Sequence, residues 1–295
     1  MATSAVVDKT IKSNSLIVES EMGDVMRISG YVFAVLVLLA QPVVGHEFWI
    51  DPDHYEVEPG APFTARLRNG ENFKGIDLAW FDSRFSRFEA VFGDTVQPVT
   101  GRAGDTPALQ MTAPGEDGLL VILHETQPSR LTYKVWEKFL KFAAHKDFPD
   151  AAQTHKSAGW PMEGFRESYT RHAKSLIAIG SGEGQDRAFG LTTEFVALSN
   201  PYAAGFDGTM QVRLLYDAQP RADAQVEVFD LSPAGEVIVS LFRTDGHGEV
   251  AVPVKTGHRY LFDAVVLRPS PEAGSSERAP VWESLWAALT FSVPP

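Results

Sequence analysis

Eight histidines and no cysteine set the terms for any metal or nucleophile chemistry in this 295-residue chain. Without thiolates, the available ligands are imidazole and carboxylate. One histidine is placed unusually. In "LLAQPVVGHEFWI", residues 38–50, an apolar run ends in small residues directly before His46. Scission after Gly45 would make His46 the first residue, offering its α-amino nitrogen and its imidazole Nδ1 to one ion. A second imidazole would complete a T-shaped set of three nitrogens, a histidine brace, which suits copper(II) or nickel(II). The amine has an intrinsic pKa of roughly 7.7 to 8 and must lose its proton to bind.

His124, at the end of the strand-like "LLVILHET", is the leading second ligand, because a strand end holds a side chain rigidly at the mouth between sheets. His258, in "KTGHRYLF", is the next candidate. His54 follows the turn "DPDH" and is expected in an exposed loop. His145 and His155 flank a helix end, where a solvated or capping role is expected. His172 is expected to pack and His247 to sit at a turn tip.

Templates for other chemistry are missing. The chain has no G-x-S-x-G elbow, no H-E-x-x-H helix and no G-x-x-x-x-G-K loop. The glycine-rich "GSGEGQDRAFG" follows an expected helix end, "SLIAIG" from Ser175 to Gly180, with no helix opening after it, so it reads as a loop and not a phosphate cradle.

The elements that must position these residues begin with a leader. Tyr31–Ala40 is far shorter than the roughly 20 residues that cross a bilayer. Arg27 before it, Pro42 after it, and Val43 and Gly45 at the cleavage positions give it signal-peptide proportions, with Met26 as the expected true start. Residues 1–45 are therefore expected to be removed, leaving a periplasmic or secreted chain that does not span the membrane. The removal shifts the net charge from −12 to −11, since three basic and four acidic residues go with it. An acidic surface excludes nucleic acid as a natural partner and is compatible with attracting cations.

From His46 to residue 128, alternating runs such as "PFTARLR" between turn signals such as Pro59-Gly60 predict a β-sandwich. Residues 129–185 change period. Val135, Trp136, Phe139, Leu140 and Ala143 form one helical stripe, with Thr132 as its cap, and Phe165, Tyr169, Ala173, Leu176 and Ile177 form another. A helical insertion is expected there. Residues 186–295 return to strands with turns at Asp245-Gly246 and Thr256-Gly257, in an order like carboxypeptidase-regulatory-like and transthyretin-like domains. The expected fold is mainly β: two Ig-like or transthyretin-like β-sandwich domains with a helical insertion between them. "VWESLWAALTFSV" fits either a helix or a strand.

Taken together, "HEFWI", "PSRLTYKVWEKFL", "ESYTRHAKSLIAIG", "LSNPY", "TDGHGEV" and "VWESLWAALTF" resemble a family of exported bacterial proteins of unassigned function. That family is commonly labelled the periplasmic component of an ABC-type cobalt transport system. The resemblance implies a two-part β-rich protein related to accessory subunits of nickel and cobalt uptake. It also implies an N-terminal histidine that helps bind a divalent ion, and a membrane metal transporter as partner. Many relatives carry a histidine in the strand that here reads "DAVVLRP", where Val266 stands instead. The leading expectation is thus a nickel-, cobalt- or copper-binding protein that uses His46, with His124 and His258 as further ligands and no turnover. The alternatives are a histidine-brace copper oxidative enzyme and a non-catalytic module that binds protein or glycan.

Overall fold

The computed structural model describes residues 46–295, so the expected leader and its cleavage site lie outside the described residues. Strands fall into three sheets. The first contains β1 (Glu47–Pro52), β3 (Pro62–Glu71), β4 (Lys74–Leu78) and β7 (Leu109–Thr112), with β3 paired to the other three.

The large sheet has ten strands. In order along its main path they are β15 (Val237–Arg243), β14 (Gln225–Leu231), β17 (Arg259–Pro269), β18 (Trp282–Ser292), β10 (Phe165–Ile179), β8 (Gly118–Thr126), β5 (Phe85–Phe92) and β6 (Thr95–Pro98). β2 (Glu56–Val57) and β9 (Ser129–Tyr133) pair with β10 off this path. The third sheet contains β11 (Thr193–Ala197), β12 (Thr209–Tyr216), β13 (Gln219–Pro220) and β16 (Glu249–Pro253). Two helices, α1 (Trp136–His145) and α2 (Ala151–Ser157), follow β9.

The mainly β expectation holds, and the sheets pack face to face in a particular way: both sandwiches use the large sheet. Leu120 and Ile122 of β8 and Ala173, Ile177 and Ile179 of β10 pack against Trp49, Ile50, Ala65 and Leu67 of the first sheet. Their sequence neighbours, Leu119, Val121 and Leu123 with Leu176 and Ala178, pack against Phe195, Met210, Val212 and Leu214 of the third. Successive side chains on a strand point to opposite faces, so a layer covered on both sides loses the alternation of apolar and polar residues and reads as long apolar runs. That explains why β8 is buried continuously from Gly118 to His124.

On the face that carries the first sheet, α1 and α2 cover the remaining length of the strands. Phe139, Phe142 and Ala143 of α1 and Ala151 of α2 meet Val265, Leu267, Trp282 and Trp286.

Two local expectations are corrected. The second helical stripe is the 15-residue strand β10. Residues 165, 169, 173 and 177 are separated by four, which matches one helical turn closely and also keeps a single face of a strand. Burial of both faces supplied the extra apolar residues that looked like a helix. Thr132 is not a helix cap: it pairs with Arg166 in β9, and α1 starts after Val135 with no side-chain cap. The C-terminal segment that fitted either element is β18, paired with β17 from Trp282 to Ser292.

Candidate functional site

β1 places His46 and Glu47 on opposite sides of the chain. Glu47 pairs with Gly70 of β3, and the hairpin from β3 to β4 turns through Asn72 and Phe73, both at positive φ. A Cβ at Gly70 would collide with the backbone of Lys74 and Gly75, so glycine is required for the hairpin to close this tightly. Phe73 then packs edge-on against Trp49.

The hairpin and the segment leading into β1 frame an open groove of about 530 Å³ lined by His46, Asn69, Glu71, Lys74 and Ile76, among others. His46 Nδ1 lies 3.4 Å from Glu71 Oε1, with both side chains nearly half exposed. The start of β1 is tethered here, because the Arg171 guanidinium donates to the His46 carbonyl oxygen and stacks over Trp286 at 4.6 Å. In the uncut chain the His46 nitrogen is a peptide amide. Once freed as an amine it would give this corner three donors from two residues: amine, Nδ1 and the Glu71 carboxylate.

Glu47 points the other way, into a buried charged cluster in the seam between β1, α1 and the large sheet. Lys146, just after α1, has Nζ 3.0 Å from Glu227 Oε2, 3.0 Å from Asp263 Oδ2 and 3.6 Å from Glu47 Oε1. Glu47, Glu227 and Asp263 are the one set of three His, Asp or Glu residues among the described residues whose ligand atoms lie within 4.8 Å of one another. The ammonium of Lys146 already sits among that set.

Burial, and then the neighbouring Asp263, push the Glu47 carboxyl up to about 7. Burial also raises Asp263. Burial opposes the charge on Lys146, yet Asp263, Glu227 and Glu47 outweigh it and hold the ammonium above its ordinary pKa. His145 stands at the rim, Nε2 3.4 Å from Glu227 Oε1, and that contact raises its pKa.

The structure does not gather His46, His124 and His258 into one donor set. His124 is buried in a cage of Phe48, Phe85 and Phe88, with ring centroids at 5.1, 5.5 and 4.9 Å, and its Nδ1 has no hydrogen-bond partner. Burial pushes its pKa down to about 3, so it is neutral. His258 is engaged by the Asp230 carboxylate and stacks on Tyr260. It lies five residues along the chain from Asp263, about 16 Å at strand rise.

His54 and His247 are exposed, as expected, and His172 packs with Nδ1 3.0 Å from the Trp286 carbonyl oxygen. His155 departs from the expected solvated role. It is fully buried, accepts the Trp282 indole N–H at 2.9 Å, and has Nε2 3.0 Å from the Pro161 carbonyl oxygen. Val266 is buried in β17 among apolar neighbours and brings no ligand.

Sequence reasoning missed Lys146, Glu227 and Asp263. The available signal was a carboxylate inside an otherwise apolar strand, in "VEVFD" and "YLFDAVVL". A buried carboxylate needs a partner, and the cation comes from a helix end far away in sequence.

No curated protein matches the chain. Among solved structures it is similar to the D0-D1 domain of intimin, at 14% identity over 82% of this chain and 97% of that one, with a TM-score of 0.19. It is similar to a tetra-tandem repeat in the extending region of a large adhesion protein, at 8% identity over 84% of this chain and 50% of that one, TM-score 0.21. A third, the Yersinia pseudotuberculosis adhesin InvE, gives 11% identity over 84% and 58%, TM-score 0.18. Superpositions this loose assign neither fold nor function. With residues 43–268 matched to it, the chain belongs to the family described as a domain of unknown function, DUF4198.

Proposed function

We propose that the chain, once cut after Gly45, is a periplasmic protein that binds divalent nickel, cobalt or copper through the His46 amine and Nδ1. Glu71 supplies an oxygen donor. Two nitrogens and a carboxylate form a borderline donor set suited to these ions. The observation that carries the reading is the approach of His46 Nδ1 to Glu71 at 3.4 Å in an open groove, on a terminus held by the β1 ladder and Arg171. Such tethering places a chelating end in advance of binding. Uptake or delivery of the ion, with a membrane metal transporter as the receiving partner, follows from the resemblance to cobalt and nickel uptake components, and no turnover is assigned.

The test is calorimetric titration of nickel, cobalt and copper ions into exported protein whose first residue is established by mass spectrometry. Protein beginning at His46 should bind one of these ions. An added N-terminal Met or Glu71→Gln should weaken binding at least about tenfold, the loss of roughly 1.4 kcal/mol. Equal affinity with and without the added Met would refute the proposal.

A further inference from the structure

The glycine-rich loop after β10, which is no phosphate cradle, brings a carboxylate to a buried lysine. Lys174 lies on the face of β10 opposite Arg171, turned toward the third sheet, with a side chain only 1% exposed. Its Nζ is 2.7 Å from Oδ2 of Asp186, a wholly buried side chain in the loop from β10 to β11. It is 3.2 Å from Oε1 of Glu194 on β11, 3.1 Å from the Arg187 carbonyl oxygen, and 4.9 Å from the centre of the Phe189 ring.

The two carboxylates are held differently. Glu194 accepts backbone N–H groups from Phe189, Gly190 and Leu191, which hold its carboxylate in place. Asp186 Oδ2 accepts the Ala197 N–H at 2.8 Å, whereas Asp186 Oδ1 has no partner at all. Leaving a buried carboxylate oxygen unpaired is costly, and so is a buried ion pair compared with a neutral group of the same shape.

We propose that Lys174 and Asp186 are joined by a self-formed amide bond, with Glu194 as the proton carrier. The balance closes within the pair. Ammonium and carboxylate become a secondary amide and one water: the Nζ–Cγ bond forms and the Cγ–Oδ1 bond breaks. Two ammonium hydrogens leave with Oδ1, and no electron or co-reactant is exchanged. Oδ2 stays as the amide oxygen, where the Ala197 N–H stabilises the charge that develops during attack. Glu194 Oε1 takes a proton from the attacking nitrogen and returns it to the departing oxygen. Contact geometry replaces a bimolecular encounter, and burial keeps out the water that would otherwise favour hydrolysis. The remaining amide N–H keeps an acceptor in Glu194 or Arg187.

Such a bond fits an exported chain with no cysteine, since it closes a short loop covalently as a disulfide would. It ties β10 of the large sheet to the loop that leads into the third sheet. Lys146, equally buried, is the internal control. Three carboxylates surround it and hold it as ammonium, so it stays an ion pair.

The experiment is the intact mass of the unfolded mature chain, measured against its residues from the observed N-terminus, followed by proteolysis and sequencing of the branched peptide. The expected result is a deficit of one water, with Lys174 and Asp186 in one branched fragment. Asp186→Asn should cross-link with loss of ammonia in place of water. Asp186→Ala should show no deficit. Glu194→Gln should slow formation by about a hundredfold or more, the lower range for a positioned proton carrier. Wild-type protein with its full mass would overturn the proposal, as would a deficit that maps to Lys146 or to cyclisation at an Asp-Gly pair. Undiminished cross-linking in Glu194→Gln would remove Glu194 from it.

Discussion

His124 is the histidine whose surroundings make the sharpest demand on stability. It sits among three phenylalanine rings, with an unpartnered Nδ1 and a pKa pushed down to about 3 by burial alone. In the unfolded chain the ring titrates near 6.5, so the unfolded state binds a proton that the folded state refuses. The folded pKa is depressed. The contribution is therefore fully present above about pH 6.5 and drains away as pH falls toward 3. At pH 5 the unfolded ring is about one and a half pH units below its midpoint, which amounts to about 2 kcal/mol at 1.36 kcal/mol per unit. Urea unfolding of wild type and His124→Phe at pH 7 and pH 5 measures this directly. Wild type should lose about 2 kcal/mol more than the variant between the two pH values. Any packing cost of the larger ring is the same at both and cancels from the difference. Parallel losses in the two proteins would show that the imidazole is not held neutral, and the reading of the cage would fail. Nickel, cobalt or copper affinity should be the same in both, since His124 is outside the donor set around His46.

Lys146→Met should destabilise the fold by about 3 to 5 kcal/mol in urea unfolding at pH 7, because it leaves Glu47, Glu227 and Asp263 buried without their cation. Adding Asp263→Asn and Glu227→Gln to it should recover part of that loss. Gly70→Ala should force the β3–β4 hairpin apart and weaken metal binding at His46, read by the same titration, with little change in the amide bond at Lys174. Glu167 is buried, accepts the Tyr133 hydroxyl at 2.9 Å, and has its pKa raised to about 7 by burial. Its folded form holds a proton that the unfolded form releases, so its contribution is full below about pH 4.5 and is lost as pH rises through 7. Glu167→Gln should flatten that loss in urea unfolding measured at pH 5 and pH 8.

The pattern in the sequence reached the strands and the apolar runs but not the layer they share. Alternation in "PFTARLR" correctly marks β3, which is covered on one side. In β8 and β10 both faces are covered, alternation disappears, and periodicity no longer separates a strand from a buried helix. That ambiguity is local and no window of sequence resolves it, because the second covering layer comes from β11, β12 and β16, after the segment itself. The site divides in the same way. His46 draws attention through the residues directly before it, because adjacency in sequence is adjacency in space. Glu71 is 25 positions on, brought beside His46 only by the pairing of β1 with β3. His124 illustrates the converse: a strand end was a fair place for a ligand, but the aromatic cage arises from residues of β1 and β5 that no spacing rule connects.

A strand with no solvent face must neutralise every polar side chain it carries using groups from the layers above and below. Besides Tyr169, β10 carries six polar side chains between Glu167 and Lys174, and four of them are met by other elements. Glu167 is bonded by Tyr133 of β9 and Ser284 of β18, and Arg171 by the His46 carbonyl. His172 bonds the Trp286 carbonyl, and Lys174 is met by the loop and by β11. Glu167 and His172 thus lock β10 to its neighbours within the sheet, while Arg171 and Lys174 each fix one covering layer, where apolar packing alone would allow sliding. The alternation of β10 then separates two chemistries. Its odd positions, through Arg171, hold the segment that presents His46; its even positions, through Lys174, hold the loop that contains Asp186. A one-residue slip of β10 would exchange these faces and disrupt both arrangements together, so the metal binding proposed at His46 and the amide proposed at Lys174 should be lost together in any variant that shifts the register.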